Sequence, residues 1–193
     1  MRVISGTARG RKLAEPVGSK IRPTSGKVKE SIFNIVQFDV EGRRVLDLFA
    51  GTGQLGIEAL SRGARNAVFV DSASDSTKLI RENVNKCGLS ANSVILTCDA
   101  LKALETKEKF DLIFVDPPYD TQLAGKALLK VAQFDKLDIN GILICELRTD
   151  SQLPVLPVPY LLQREYKYGG VKIVKYTREP QLQPAEDIAA VVL

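Results

Sequence analysis

The stretch Val45-Leu46-Asp47-Leu48-Phe49-Ala50-Gly51-Thr52-Gly53-Gln54-Leu55-Gly56 runs from a short apolar segment into three closely spaced glycines. Residues 45–48 suit a buried strand, and the segment from Gly53 to Arg62 has helical spacing. Glycines at such a strand-to-helix turn permit a tight bend and let backbone N–H groups approach a ligand at the helix N-terminus. The pattern Gly51-x-Gly53-x-x-Gly56 also matches a dinucleotide fingerprint, so a nicotinamide-dependent oxidoreductase is a rival reading at this point.

Outward from that turn, the same alternation repeats. Short apolar runs at 67–71, 94–97, 111–116 and 142–146 read as strands, and 74–87 and 123–133 read as helices. Strands that are apolar throughout are buried on both faces, which implies a parallel sheet covered by helices. After a joint with Pro154, Pro157 and Pro159, two more strands flank Gly169-Gly170, a pair suited to a hairpin turn. The fold class expected is therefore α/β, Rossmann-like, a mostly parallel sheet that ends in an antiparallel C-terminal hairpin. Upstream, residues 1–20 suit a short hairpin laid over the body. Val28, Ile32, Ile35 and Val36 then mark an amphipathic helix, capped by Thr24 or Ser25 after Pro23. The division expected is a basic extension at 1–40, a main domain at 41–180 and a tail at 181–193.

Acidic residues sit where the strands end. Asp47 would repel a pyrophosphate, whereas S-adenosylmethionine has no phosphate and carries an ammonium and a sulfonium that a carboxylate attracts. Asp71 is placed to accept both hydroxyls of a ribose, and Asp99, before Ala100, could accept from an adenine amino group. With the backbone of Phe49, Ala50, Gly51, Thr52 and Gly53, these form the expected cofactor site. Asp residues at strand ends are also common turn formers, which is the plainer reading of Asp99 taken alone.

The fourth strand closes in Asp116-Pro117-Pro118-Tyr119. Two prolines after a buried strand forbid helix and ladder alike and leave a stiff backbone with free carbonyls. A planar amine needs two acceptors, here the Asp116 carboxylate and the Pro117 carbonyl, while Tyr119 can stack on a base, worth about 1–3 kcal/mol. A carboxylate near an ordinary pKa of ~3.9 cannot deprotonate a neutral aryl amine, so Asp116 is expected to orient it and to stabilise developing positive charge.

Composition narrows the chemistry further. The 193 residues include no histidine, which removes Ser-His-Asp triads, Cys-His pairs and His-based metal sites. Three cysteines, Cys87, Cys98 and Cys145, lack C-x-x-C spacing and are expected to be reduced and buried, as in a cytoplasmic protein; neither a metal nor a membrane is expected. Residues 1–30 carry eight basic side chains against Glu15 and Glu30, a balance of +6, and the remainder sums to −2. A basic head on a near-neutral body suggests a surface for a polyanion, with Arg9, Arg11, Lys12, Arg22 and Thr24 as candidate RNA contacts; a solvated terminus is the plain alternative.

Several motifs, taken together, resemble one family. They are Met1-Arg2-Val3-Ile4-Ser5-Gly6, Arg9-Gly10-Arg11-Lys12-Leu13, Arg22-Pro23-Thr24, Glu30-Ser31-Ile32-Phe33-Asn34, the cofactor loop continued through Gly56-Ile57-Glu58-Ala59-Leu60-Ser61-Arg62-Gly63-Ala64, Asp116-Pro117-Pro118-Tyr119 and Lys167-Tyr168-Gly169. They resemble the RsmD-type methyltransferases that modify the N2 amine of a guanine in 16S ribosomal RNA. The chain departs from the family pattern at Ser25-Gly26-Lys27, where Asp-Arg is usual. The resemblance implies a seven-stranded methyltransferase fold, S-adenosyl-L-methionine as cofactor, and a monomer acting on assembled or assembling 30S particles. The alternatives are an adenine-N6 DNA methyltransferase, the oxidoreductase, and a non-catalytic RNA-binding module.

Overall fold

The structure, a computed structural model, describes residues 1–16, 26–119 and 122–180. Arg22, Thr24 and Ser25 fall outside these residues, as does the tail at 181–193. Among the described residues no helix is long and apolar enough to cross a membrane.

The apolar runs become β1 (Arg44–Leu48), β2 (Asn66–Asp71), β3 (Ser93–Thr97), β4 (Phe110–Val115) and β5 (Leu137–Arg148), all parallel, followed by β6 (Tyr160–Tyr168) and β7 (Val171–Arg178). They form one sheet in the order β3-β2-β1-β4-β5-β7-β6. The C-terminal hairpin turns at Gly169-Gly170, as its residues suggest, and β7 inserts between β5 and β6, pairing antiparallel with both. Strand order reverses between β1 and β4, which opens a crevice beyond their carboxyl ends, where ligands bind in open α/β sheets.

Among the described residues five α-helices cover the two faces: α1 (Gly26–Ile35), α2 (Gln54–Ser61), α3 (Ser74–Cys87), the single turn α4 (Ala100–Ala103) and α5 (Leu123–Gln133). Alternation along each strand splits the core in two. Val45, Phe69, Phe114 and Ile144 pack with α1, α2 and α3 on one face. Leu48, Val70, Val115 and Cys145 pack with α4 and α5 on the other. Gly56 makes α2 fit, because a Cβ there would lie 2.3 Å from the Phe69 ring.

The N-terminal segment is part of the first face. Val3, Ala8 and Leu13 are buried in its core. The expected hairpin is present in reduced form, with one bridge between Arg2 and Lys12. Gly6, at φ 81°, presses on the end of α2 so closely that a Cβ would lie 1.6 Å from the Ser61 carbonyl oxygen. Ser61 fixes the contact further, its hydroxyl accepting from the Ala8 N–H at 2.9 Å and its carbonyl from the Thr7 N–H at 2.8 Å. Two expectations need correction. Lys29, counted with the basic head, is buried and ion-paired with Glu58 at 3.2 Å, so it offers nothing to a polyanion. Cys98 is only half-buried, unlike Cys87 and Cys145.

Candidate active site

The loop after β1 is held in its ligand-ready shape by the chain itself. Phe49, Gly51 and Gly53 have φ of 61°, 55° and 77°, a left-handed run that glycine adopts freely and phenylalanine does not. Gly53 caps α2 but has no side chain to receive the helix's first N–H groups. Asp47 supplies that acceptor from the strand below, taking the Gly56 N–H at 2.9 Å. Asp71 ties the loop from the other side, its carboxylate accepting from Gly51 N–H at 2.8 Å and Ala73 N–H at 2.9 Å. A carboxylate has about four lone-pair sites, so both retain capacity for a ligand.

Asp47 is almost fully buried, and its carboxyl is pushed well above the usual range by that burial first, with the Asp116 and Asp71 charges adding to it; only the Gly56 N–H opposes. Among the described residues no lysine or arginine pairs with it. A buried carboxylate beside two others, without a cation, has the electrostatics of a cation-binding site. Asp71 and Asp116 lie two residues further out along their strands, because Asp47 itself pairs with Phe69 and Phe114. All three stand on the α2–α3 face of the sheet.

Asp99 caps α4, accepting from the Lys102 N–H at 2.9 Å, and is otherwise exposed, with Ala100 buried behind it. The turn-former reading of Asp99 thus has a concrete partner, and its place after β3 leaves it near the outer rim of the crevice.

Asp116-Pro117-Pro118-Tyr119 continues β4 over the edge. Pro117 is buried, while Tyr119 projects with 38% of its surface exposed. The Tyr119 hydroxyl donates to the carboxylate of Glu146 near the end of β5. Beside these residues lies a cavity of about 470 Å³, walled by Pro117, Tyr119, Glu146, Arg148 and Leu153, which is the size of a small-ligand site. The cavity lies at the carboxyl ends of β4 and β5, and the loop from Phe49 to Gly53 follows β1, the strand next to β4.

The sequence reading did not single out Glu146, Asn83 or Glu58. An acidic residue closing an apolar strand was the available signal for Glu146, the same one that marked Asp71 and Asp116. Asn83 is fully buried on α3 and joins the N-terminal segment to the cofactor loop, donating to the carbonyls of Ala14 at 3.1 Å and Thr52 at 3.0 Å. Glu58 gathers Lys29, Arg62 and the N–H groups of Ile4 and Ser5 around one buried carboxylate. Of the candidate RNA contacts, Arg9, Arg11 and Lys12 are exposed, and Arg11 lies close enough to Cys87 to influence its thiol. That places Arg11 by the C-terminal end of α3.

A family model described as Conserved hypothetical protein 95 matches residues 1–177. Relatives named Ribosomal RNA small subunit methyltransferase D are 33% identical, in Haemophilus influenzae over 91% of this chain and 93% of theirs, and in Escherichia coli K12 over 94% and 91%. The chain belongs to the RsmD-type family. The E. coli family protein yhhF, solved as a candidate methyltransferase, superposes with a TM-score of 0.84 at 31% identity, covering 94% of this chain and 99% of that one. A Streptococcus mutans protein solved as a candidate SAM-dependent methyltransferase shares the fold at a TM-score of 0.66 and 18% identity, over 81% of this chain and 49% of its own. The family's seven-stranded, Rossmann-like methyltransferase fold, with its antiparallel C-terminal hairpin, is thus the fold of this chain.

Proposed function

We propose that this chain is an S-adenosylmethionine-dependent methyltransferase that modifies the exocyclic N2 amine of a guanine in 16S ribosomal RNA, in the cytoplasm and within assembled or assembling small subunits. The observation that carries the reading is the row of carboxylates on adjacent strands, with Asp47 buried among like charges, together with a base-sized cavity lined by Pro117, Pro118 and Tyr119 at the end of the neighbouring strand. The names of the RsmD relatives support the same substrate class.

S-adenosylmethionine, when bound, supplies a methyl group activated by its positive sulfur. Asp47 offsets positive charge on the ligand, Asp71 faces a ribose, and the backbone from Phe49 to Gly53 lines the approach. The Asp116 carboxylate and Pro117 carbonyl accept the two N–H bonds of the amine and turn its lone pair toward the cofactor side. Tyr119 stacks on the base; its hydroxyl is already tethered to Glu146, so little side-chain freedom remains to be lost on binding. As the amine nitrogen gains its carbon and becomes positive, Asp116 stabilises that charge, and the nitrogen then gives up its proton readily. The protein's contribution is mainly alignment and electrostatics.

Exposed Arg9, Arg11 and Lys12 would hold RNA phosphates and so offset the few kcal/mol needed to extrude a base. The test is transfer of labelled methyl from the cofactor to naked 16S RNA and to small subunits from a deletion strain, with nucleoside mass spectrometry of the product. N2-methylguanosine is expected; N6-methyladenosine, or no transfer to either substrate, contradicts the proposal.

A further inference from the structure

We infer that Glu146 is the residue that selects guanine, by accepting the N1–H of the base whose N2 amine lies at Asp116; this rests on the guanine reading above and deepens it. Glu146 is 1% exposed, among the most buried acids in the chain, yet it lines the cavity that Pro117 and Tyr119 also line. A strand of buried apolar residues does not need a carboxylate at this level, and enclosing one is costly unless it has work to do.

Its position follows from the sheet. Val115 on β4 pairs in parallel register with Cys145 on β5, so Asp116 and Glu146 are the next residues outward on neighbouring strands, about 4.8 Å apart in strand spacing. Val115 and Cys145 point into the core on the α4–α5 face, so Asp116 and Glu146 share the opposite face by alternation. The Tyr119 hydroxyl, donating to Glu146, ties the stacking ring to the same carboxylate. A base lying on Tyr119 with its amine at Asp116 therefore presents the adjoining atom of its Watson–Crick edge toward Glu146. In guanine that atom is a donor, N1–H. In adenine the corresponding ring nitrogen is an acceptor, which an ionised carboxylate repels. A carboxylate accepting one bond from Tyr119 has lone pairs left for a second donor.

This role separates two properties that the catalytic motif alone does not. Asp116 and Pro117 accept from any planar amine, whereas Glu146 asks what stands next to that amine. 2,6-Diaminopurine makes the distinction directly, because it keeps the N2 amine and carries an acceptor at N1. Wild-type enzyme and Glu146→Gln are each given substrate RNA with guanine or 2,6-diaminopurine at the methylated position, and kcat/KM is measured for the four combinations. The glutamine is isosteric, and its amide can donate to the acceptor or accept from the donor.

Wild type is expected to prefer guanine by about tenfold or more, the scale of one well-placed base contact, and Glu146→Gln is expected to narrow that preference by a similar factor. Equal use of both bases by wild type overturns the inference without any variant, as does a Glu146→Gln enzyme that slows both substrates in parallel. Wild type that methylates neither base, while methylating RNA elsewhere, refutes the guanine reading and the role of Glu146 with it.

Discussion

Glu58 and Asp47 are both acids with almost no exposed surface, eleven residues apart along the chain, and they are treated in opposite ways. Glu58 is surrounded by what a carboxylate needs: Lys29 at 3.2 Å, Arg62 at 2.9 Å, and the N–H groups of Ile4 and Ser5 at 2.7 and 2.9 Å. Asp47 receives one N–H and otherwise faces Asp71 and Asp116. A buried charge with its partners supplied is scaffolding; a buried charge set among like charges waits for a ligand. The first holds the N-terminal segment to α2, and in the proposed function the second attracts the positive charge of the cofactor.

Breaking the Glu58 cluster should have the largest effect. Glu58→Ala leaves Lys29 buried without its partner and is expected to cost about 3–5 kcal/mol of stability, measured by chemical denaturation. A loss below about 1 kcal/mol would mean that Glu58 is not the anchor. Asp47→Asn should behave in the opposite sense, keeping an acceptor for Gly56 while removing a buried like charge. The unliganded variant is expected to be no less stable than wild type, yet to bind S-adenosylmethionine about tenfold or more weakly, about 1.4 kcal/mol, by calorimetry. Unchanged affinity would break the contrast.

Titration sharpens it. The Asp47 carboxyl is raised by folding, so its contribution to unliganded stability is present below the ordinary carboxylate range and is lost as pH rises through its raised value. A cationic ligand favours the ionised form, so the thermal upshift given by S-adenosylmethionine should grow as pH rises through the same window. Asp47→Asn should flatten that growth.

The smallest effect separates basic residues within the head. Arg9→Ala with Arg11→Ala should leave folding and cofactor affinity unchanged, since both side chains are exposed. The salt dependence of RNA binding should become shallower by about 0.7 per lost phosphate contact on single strands. An unchanged slope removes these two arginines from the RNA surface.

The same contrast explains which parts of the molecule are legible in the order of its amino acids. Helices at 74–87 and 123–133 match α3 and α5 residue for residue, because apolar spacing and flanking turn residues, such as Gly88 at φ 73° behind α3, are local signals. The strand cores are legible for the same reason. The start of β5 is not, since Asp138, Asn140 and Gly141 interrupt the apolar run that marks 142–146. The ladder with β4 is irregular there, and Asn140 adopts φ 60° before the register resumes at Ile142. Asp47, Asp71 and Asp116 stand out because each closes an apolar run beside an unusual loop. Lys29 cannot be told from its exposed neighbours, because its partner Glu58 lies 29 residues away on another helix and no local pattern links them. Glu146 carries the strand-end signal but no adjoining loop motif.

One measurement bears most directly on the catalytic edge: Asp116→Ala assayed in parallel for S-adenosylhomocysteine binding by calorimetry and for methyl transfer to small-subunit RNA. Cofactor-product binding should survive while transfer falls by about 10²–10³, the usual cost of losing one charge-stabilising group. Transfer at the wild-type rate, or loss of binding and transfer together, would contradict the assignment of Asp116 to the amine.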